Sequence, residues 1–280
     1  MQNKTILITG ATNGIGLETA RGLARLGAHL VLVGRDPAKG ERVLADLKAS
    51  TGNDRIELLN ADLSVQASIR ALAAQVLERY PRLDVLVNNA GGVFDPRTIT
   101  ADGIETTWAV NHLAYFLLTN LLLDRLKASA PARVVSVSSD AHLGGSLRLD
   151  DPEYTQGGYS SFAAYSQSKL ANVLFTFELA RRLAGSGVTA TCLHPGFVHT
   201  GFGSRTMGWL NPIVGLVTRL GMRPEQGATT SIYLASSPAV EGVTGQYFAK
   251  QKPARVNAQA QDVELAGKLW ALSEKQCGLA

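Results

Sequence analysis

Cysteine and histidine are scarce in this sequence. Its 280 residues include two cysteines and five histidines. Cys192 and Cys277 lie far apart and form no CxxC pair, and the histidines follow no HExxH or similar ligand spacing. We therefore expect no metal site, and two free thiols in a reducing compartment.

Long apolar stretches and clusters of one charge are also lacking. No stretch of about 18 apolar residues occurs, so no membrane span is predicted. The early run TILITG is too short for the core of a signal peptide, and we expect a cytoplasmic protein. The net charge is only +4, without any run of about five basic residues. A nucleic-acid partner is therefore not expected, despite a pI of about 9.1.

Short apolar runs alternate with helical patterns along the chain. The runs are rich in β-branched residues, which is typical of strands buried on both faces. They cover residues 5–9, 29–34, 55–62, 83–91, 132–139, 187–195 and 245–250. Helical spacing covers residues 15–26, 37–50, 64–80, 103–128, 161–184, 225–236 and 259–275. This order predicts an α/β fold, a Rossmann-type doubly wound parallel sheet of about seven strands with helices on both faces, in three αβα layers.

The chain contains no linker rich in proline, glycine or serine, so residues 1–280 are predicted to form a single domain. Two irregular segments, 140–160 and 197–224, follow predicted strands and therefore lie where open α/β sheets bind ligands. We expect segment 197–224 to be a substrate lid. The C-terminal tail 249–280 is expected to cover the substrate pocket or to join an oligomer contact.

The first predicted strand leads into the turn TGATNGIG at residues 9–16. Gly10 permits a tight turn, Gly14 lets backbone N–H groups approach a pyrophosphate, and Gly16 lets the helix pack closely on the sheet. Between a strand and a helix, this pattern predicts dinucleotide binding, and the alternative is a tight turn without a ligand. The other turn residues expected at the cofactor are Thr12, Asn13 and Ile15.

The end of the second predicted strand bears on the choice of cofactor. NAD-selective sites usually place a carboxylate there, but this chain has Gly34 followed by Arg35. The guanidinium of Arg35 could pair with a ribose 2′-phosphate, which favours NADP(H) over NAD(H). The alternative is a surface arginine at the start of the next helix, beside Asp36.

Tyr165 and Lys169 lie four residues apart in YSQSK. On a helix they share a polar stripe with Asn172 and Thr176, and apolar residues flank this stripe on both sides. A buried lysine ammonium would lower the pKa of a nearby phenol and make Tyr165 a general acid and base near neutral pH. The alternative is two ordinary residues on a helix.

Two further polar positions accompany this pair. The run VVSVSS ends the fifth predicted strand, and a serine hydroxyl there could donate to a substrate carbonyl oxygen. Ser139 is the first candidate and Ser138 the second. Asn111 stands in the otherwise apolar stretch AVNHLAYF, where its amide needs partners if it is buried.

These motifs together resemble the short-chain dehydrogenase/reductase family. TGATNGIG, NNAG at residues 88–91 and the set Asn111, Ser139, Tyr165 and Lys169 carry the resemblance, which runs from Thr5 to about Phe248. It implies that all four residues of this set are catalytic, that Ser139 rather than Ser138 is the catalytic serine, and that Asn111 holds Lys169 through a water molecule. No metal is implied.

The resemblance also extends the set of expected cofactor contacts. It implies that Asp62 and Leu63 contact the adenine; Asp62 or Ser64 could also cap the next helix, and the two roles are compatible. The NNAG motif would stabilise the sheet and touch the cofactor, and Tyr165 and Lys169 would contact it as well. Pro195 and Gly196 would form a turn beneath the nicotinamide, or else a plain turn. The remaining expected contacts are Asn88, Asn89, Ala90, Gly91, Val198 and Thr200.

The long gap between Ser139 and Tyr165 and the run QSKLANVLF resemble the retinol-dehydrogenase-like branch of that family. The lid segment, rich in apolar residues and containing Trp209, suits a hydrophobic substrate, or else packs on the protein's own surface or on another subunit. We therefore predict an NADP(H)-dependent oxidoreductase that interconverts a carbonyl and an alcohol on a small hydrophobic molecule. It is predicted to be a homodimer or homotetramer. The alternatives are a cofactor-binding regulatory or scaffold protein without turnover, an NAD-preferring dehydrogenase of the same family, and an isomerase or epimerase.

Overall fold

One eight-stranded sheet runs through the residues that the structure, a computed structural model, describes, 1–196 and 223–280. Its strands, in chain order, are β1 (Thr5–Thr9), β2 (His29–Gly34), β3 (Ile56–Asn60), β4 (Val85–Asn88), β5 (Ala132–Val137), β6 (Val188–His194), β7 (Gln246–Ala249) and β8 (Lys252–Pro253). Their order in the sheet is β3-β2-β1-β4-β5-β6-β7-β8, and only β8 pairs antiparallel, with β7. The predicted fold class is confirmed, with one short edge strand more than expected.

Helices connect the strands and cover both faces of the sheet. They are α1 (Gly14–Arg25), α2 (Pro37–Thr51), α3 (Gln66–Arg79), α4 (Thr106–Trp108), α5 (Ala114–Leu121), α6 (Leu123–Ala128), α7 (Ser161–Arg182), α8 (Pro224–Ser236) and α9 (Val263–Gln276). The apolar strands explain this arrangement, because successive side chains of a strand point to opposite faces. Ile6 and Ile8 pack into one apolar cluster and Leu7 packs into the other, all fully buried.

The parallel register brings the carboxyl ends of the strands to one edge. Gly34 pairs with Asn60, Asn88 with Ser136 and Val137 with Leu193. The strand order reverses between β1 and β4, which is the position where doubly wound sheets open a crevice for ligands. The turns after β1, β2, β4, β5 and β6 therefore meet at this edge. The lid predicted at 197–224 lies almost entirely outside the described residues, as do Val198 and Thr200.

The helix predicted over 103–128 is wrong in detail. The chain forms α4, then a π-helical turn at Ala109–Leu113, and then α5 and α6. Neither proline nor glycine causes this interruption, since neither occurs between residues 106 and 128. Instead, the backbone oxygen of Asn111 accepts a hydrogen bond from Asn172 Nδ2 in α7 at 2.9 Å. A side chain from another helix is one of the known causes of such irregularity.

The C-terminal tail forms part of the core. The amphipathic helix expected over 259–275 exists as α9, which packs on α5 and α7. Trp270 lies 4.8 Å from Phe116 and 5.9 Å from Phe175 between ring centroids, and Ser273 Oγ lies 2.9 Å from His112 Nε2. Val263 does not share in this packing, because 58% of it is exposed. It is the first residue of α9, where the chain has not yet reached the core.

The packing of α9 predicts a large stability effect at Trp270. Trp270→Ala should lower the free energy of unfolding by about 3–5 kcal/mol, because it leaves a cavity against Phe116 and Phe175. The exposed Val263→Ala, in the same helix, should change it by less than about 1 kcal/mol. Urea unfolding measures both variants. Equal effects would show that α9 does not belong to the core.

Candidate active site

The glycine turn approaches its neighbours too closely for larger residues. Gly10 and Gly14 have φ values of +65° and +51°, which disfavour residues with a Cβ. A Cβ at Gly16 would collide with the Gly10 carbonyl and with the Asn89 side-chain amide. The turn therefore holds the N-terminus of α1, with its free backbone N–H groups, against the carboxyl edge of the sheet.

The NNAG motif links β4 to this turn. Asn89 Nδ2 donates to Thr9 O at 2.8 Å and to Gly10 O at 3.2 Å. The backbone N–H groups of Asn89 and Ala90 both donate to Thr9 Oγ1, at 2.9 and 3.1 Å. Asn88 points the other way, and its Nδ2 donates to Thr119 Oγ1 at 2.9 Å. Asn89 and Ala90 therefore lie at the glycine turn, whereas Asn88 ties β4 to α5.

A cavity of about 490 Å³ opens at the carboxyl edge of the sheet. Most of the predicted cofactor residues line it: Gly10, Thr12, Asn13, Gly14, Ile15, Arg35, Asp62, Leu63, Asn89, Ala90, Gly91, Tyr165, Lys169 and Pro195. Gly16 supports the turn from behind, and Gly196 directly follows Pro195. A second cavity of about 560 Å³ lies at the opposite edge, between Lys4, Arg133 and Glu241. No predicted site residue in the described part of the chain lines that second cavity.

The rim beside β2 carries positive charge. Arg35 is exposed and lines the cavity together with Gly34 and Thr12. The two nearby carboxylates are already engaged. Asp36 Oδ1 accepts the N–H of Lys39 at 3.0 Å and so caps α2. Asp62 Oδ1 accepts both the N–H and the hydroxyl of Ser64, at 2.9 and 2.7 Å. These bonds close a local turn and do not cap a helix, because α3 begins only at Gln66.

The residues present fit a nicotinamide dinucleotide. The glycines place no side chains in the cavity. At Gly91 a side chain is also excluded by the protein itself, because a Cβ would come within 2.8 Å of Asn111 Oδ1. The start of α1 offers N–H groups suited to a pyrophosphate. Arg35 offers a cation at one end of the cavity, and Tyr165 and Lys169 offer proton-transfer groups elsewhere along its wall. These residues could hold the cofactor along the edge of the sheet.

Tyr165 and Lys169 line the cavity together with Ser138, and Ser139 is hydrogen-bonded to Tyr165. Tyr165 is 9% exposed, and Lys169 Nζ lies 5.6 Å from the centroid of its ring. Burial raises the pKa of Tyr165 to about 12, while a hydrogen bond from Ser139 opposes this rise by favouring the phenolate. Burial also lowers the pKa of Lys169 to about 7. Lys169 Nζ donates to Val137 O at 3.0 Å.

The expected lowering of the Tyr165 pKa by Lys169 is therefore wrong for the protein alone. The phenol loses water on burial, and this penalty outweighs the favourable contacts. Lys169 suffers the same penalty, which weakens the positive charge that was expected to stabilise the phenolate. Both groups therefore favour their neutral forms more strongly than they would in water.

The two serines at the end of β5 have different surroundings. Ser138 is buried, and its hydroxyl donates to Lys169 O at 2.8 Å. It joins β5 to α7 and has no further proton to donate. Ser139 begins a 3₁₀ turn, Asp140–Gly144, and its hydroxyl reaches Tyr165. The geometry thus pairs Ser139, and not Ser138, with the tyrosine.

Asn111 occupies the π-helical turn and connects two loops. Its Nδ2 donates to Gly92 O at 2.9 Å and to Ser168 Oγ at 3.0 Å, while its Oδ1 accepts the Gly92 N–H at 2.9 Å. Its backbone oxygen is bonded to Asn172. Asn111 thus holds the segment after NNAG against α7, one residue before Lys169.

Sequence reasoning missed several residues around this site. Gly92 and Ser168 are hydrogen-bonded to the side chain of Asn111, but the sequence did not point to either of them. Tyr115 was missed as well, although it lies one helical turn after Asn111. Lys169 Nζ lies 5.7 Å from the centroid of its ring. Burial raises the pKa of Tyr115 well above its usual value. Among the described residues, Tyr165 and not Tyr115 lines the cavity.

Comparison with known proteins identifies the family. A family model described as short chain dehydrogenase matches residues 4–210, which include the glycine turn, Ser139, Tyr165 and Lys169. The chain belongs to the short-chain dehydrogenase family. It is therefore an oxidoreductase of the short-chain dehydrogenase/reductase type, which acts on CH–OH and C=O groups and binds a nicotinamide cofactor.

Its relatives within the short-chain dehydrogenases identify the branch. Retinol dehydrogenase 13 of Homo sapiens is 45% identical over 287 residues, covering 99% of this chain and 85% of that protein. Retinol dehydrogenase 12 of Mus musculus is 45% identical over 276 residues, covering 99% and 87%. This short-chain dehydrogenase is thus of the retinol-dehydrogenase-like branch.

Solved structures agree with the fold of this short-chain dehydrogenase. A protein from Mycobacterium paratuberculosis has a TM-score of 0.80 at 36% identity, covering 99% of this chain and 94% of that one. The Pseudomonas aeruginosa RhlG/NADP active-site complex has a TM-score of 0.71 at 28% identity, covering 89% and 94%. Among the helices of the described residues, none is long and apolar enough to cross a membrane.

The close packing at Gly16 predicts a specific loss of nucleotide affinity. Gly16→Ala should raise the dissociation constant for NADPH at least about tenfold, because the added Cβ displaces the Gly10 carbonyl or the Asn89 amide. Quenching of intrinsic fluorescence on NADPH titration measures this constant. Gly267→Ala, in α9, adds a Cβ with no neighbour within 4 Å and should leave it unchanged. Unaltered affinity in Gly16→Ala would contradict the close approach.

Proposed function

We propose that this enzyme is an NADP(H)-dependent oxidoreductase that interconverts a carbonyl and an alcohol on a small hydrophobic molecule. The observation that carries the proposal is one cavity lined by Tyr165, Lys169 and Arg35, with Ser139 hydrogen-bonded to Tyr165. Tyr165 is the general acid and base. Ser139 and Lys169 act with it, and Asn111 holds the surrounding loops.

The protonation state of Tyr165 suits reduction of a carbonyl. With a pKa near 12, its phenol is protonated at neutral pH and can donate a proton to an oxygen that gains negative charge. A bound nicotinamide supplies or accepts the hydride. The Ser139 hydroxyl has one proton, which can turn from the Tyr165 oxygen to a bound substrate oxygen and hold that oxygen beside Tyr165.

Oxidation of an alcohol requires the reverse proton movement. Tyr165 then accepts the hydroxyl proton, so its phenolate must be reachable. The Ser139 hydrogen bond favours that phenolate, and any positive charge near the ring adds to the effect. Lys169 is the nearest cation among the described residues that line the cavity, and it can also donate to hydroxyl groups of a bound ligand.

The preference for NADP(H) rests on the rim beside β2. Arg35 can pair in a fork with a 2′-phosphate, whereas the nearby carboxylates of Asp36 and Asp62 already accept backbone N–H groups. The RhlG structure, a similar chain, is an NADP complex. An enzyme of the same family that prefers NAD remains the alternative, to be decided by the Arg35 variant below.

The substrate class rests on sequence and relatives. The relatives that share 45% identity are named retinol dehydrogenases, and retinol is a hydrophobic alcohol. The apolar segment 201–222, with Trp209, suits the same class, although it lies outside the described residues. The proposal is therefore a hydrophobic carbonyl or alcohol. A scaffold without turnover is disfavoured because Tyr165 and Lys169 line the cavity and Ser139 is bonded to Tyr165.

Self-association and location stay predictions. Because α9 covers part of the outer face of α5 and α7, a homodimer or homotetramer would have to use another surface or include α9 itself. The single domain over 1–280 and the cytoplasmic location also stay predictions. The two cysteines are buried free thiols, which suits a reducing compartment.

Tyr165→Phe tests the proposed chemistry. The variant should lose at least about 99% of its turnover, because no other described phenol at the cavity can transfer the proton, yet it should bind NADPH normally. NADPH oxidation across a panel of ketones, aldehydes and quinones measures turnover. Tyr80→Phe removes the same hydroxyl beside Glu57, away from the cavity, and should keep full activity. Retained turnover in Tyr165→Phe would refute the assignment.

Arg35→Ser tests the cofactor preference. It should raise KM for NADPH at least about tenfold and leave KM for NADH nearly unchanged, because only NADPH carries the 2′-phosphate. Steady-state rates with both cofactors give this ratio. Arg25→Ser, an exposed arginine at the far end of α1, should change neither value. Equal efficiency with NADPH and NADH in the unaltered enzyme would overturn the role of Arg35.

A further inference from the structure

The serine turn, which is the 3₁₀ turn Asp140–Gly144 with Ser139 as its cap, is held between two parts of the chain. On one side it packs on α7, where a Cβ at Gly145 would come within 2.6 Å of Ser166 O. On the other side it meets the C-terminal tail. His142 O accepts the N–H of Gly145 at 3.0 Å, but a turn this short does not satisfy all the carbonyl groups at its end. The orientation of Ser139 therefore depends on what binds these carbonyls.

A single side-chain amide binds them. Asn257 Nδ2 donates to His142 O at 3.1 Å, to Leu143 O at 3.2 Å and to Gly145 O at 2.9 Å. The amide has two N–H groups for three carbonyl oxygens, so one N–H is shared between two of them. The other end of the turn is tied as well, because Ser139 O lies 2.6 Å from the ring Nδ1 of the fully buried His142.

Asn257 is itself fixed in place. Its Oδ1 accepts the N–H of Gln259 at 2.9 Å, and its backbone oxygen accepts the N–H of the buried Ala260 at 3.0 Å. Gln259 Oε1 in turn accepts the N–H of Leu147, just beyond the serine turn, at 3.2 Å. The tail therefore presents a preorganised pair of donors to the turn, more than 100 residues after it in the chain.

We propose that Asn257 is a positioning residue for Ser139. Its amide holds the carbonyl groups of His142, Leu143 and Gly145 and so keeps the Ser139 hydroxyl beside Tyr165, where a substrate oxygen can also reach it. The inference rests on the proposed role of Ser139 in the reaction. It also gives the C-terminal tail a part in the active site, through a contact that does not line the cavity.

Asn257→Asp is the sharpest test. Aspartate keeps the oxygen that accepts the Gln259 N–H, but it loses both donors and brings a negative charge against three carbonyl oxygens. The Ser139 turn should then shift, and kcat should fall about tenfold, a size typical of a small misplacement of a catalytic group. The dissociation constant for NADPH should remain unchanged. Asn257→Ala should act in the same direction.

The chain offers a matched control in Asn53. Its Nδ2 donates to Ala24 O and Ala28 O at 3.0 and 2.8 Å, and its Oδ1 accepts the Arg55 N–H at 3.0 Å, which is the same arrangement at the opposite edge of the sheet. Asn53→Asp should lower thermal stability, as Asn257→Asp does, but it should keep the kcat of the folded enzyme. A loss of kcat in both variants alike would overturn the proposal.

A double-mutant cycle with Ser139→Ala separates positioning from a general structural role. Asn257→Asp should lower single-turnover rates about tenfold in the unaltered enzyme and less than about twofold in Ser139→Ala, because the two residues act through one hydroxyl. The same loss in both backgrounds refutes the inference. If Ser139→Ala leaves no measurable rate, the pH profile of kcat decides. Asn257→Asp must then raise the Tyr165 pKa, because the Ser139 hydrogen bond that lowers this pKa is weakened. Asn53→Asp must leave the Tyr165 pKa unchanged.

The outcomes also separate this inference from the proposed function. Full activity in Ser139→Ala would refute the role of the serine and, with it, the positioning role of Asn257. A large loss in Ser139→Ala together with normal kcat in Asn257→Asp would refute the positioning role alone.

Discussion

The parallel pairing of β1 between β2 and β4 is the constraint on which the site depends. Because the three strands run in the same direction, their carboxyl ends reach one edge together, and the strand order reverses there. The glycine turn, the Gly34–Arg35 corner and the NNAG motif all begin where these strands end. No contact at the cavity could form if one of these strands ran the other way.

Side-chain amides then hold the loops that leave this edge. Asn89 binds the glycine turn, Asn111 binds the segment after NNAG, and Asn257 binds the serine turn. An amide carries both donors and acceptors, so it can satisfy backbone groups that a turn leaves without partners. Asn172 has a similar role, because its Nδ2 donates to the backbone oxygen of Asn111 in the π-helical turn. The loops at this site are therefore held by specific polar contacts, and the apolar core lies beneath them.

Burial sets the electrostatics of the reacting groups. Tyr165 and Lys169 both lie where water is excluded, so both favour their neutral forms in the protein alone. This state suits a phenol that donates a proton. The apolar side chains around α7 that produce this environment also form part of the core, and Trp270 of the tail completes that core. Stability and proton chemistry thus depend on the same packing.

Local patterns in the sequence were enough to predict the fold class, the glycine turn and the shared helical face of Tyr165 and Lys169. These features follow from local rules: apolar runs form buried strands, a glycine pattern forms a tight turn, and residues four apart share a helical face. The tertiary structure was needed to show that Ser138 bonds to Lys169 O, that the helix is interrupted at Asn111, that burial raises the pKa of Tyr165 and that Asn257 contacts the serine turn. Each of these depends on contacts between residues far apart in the chain, whose partners and loss of water no local pattern contains.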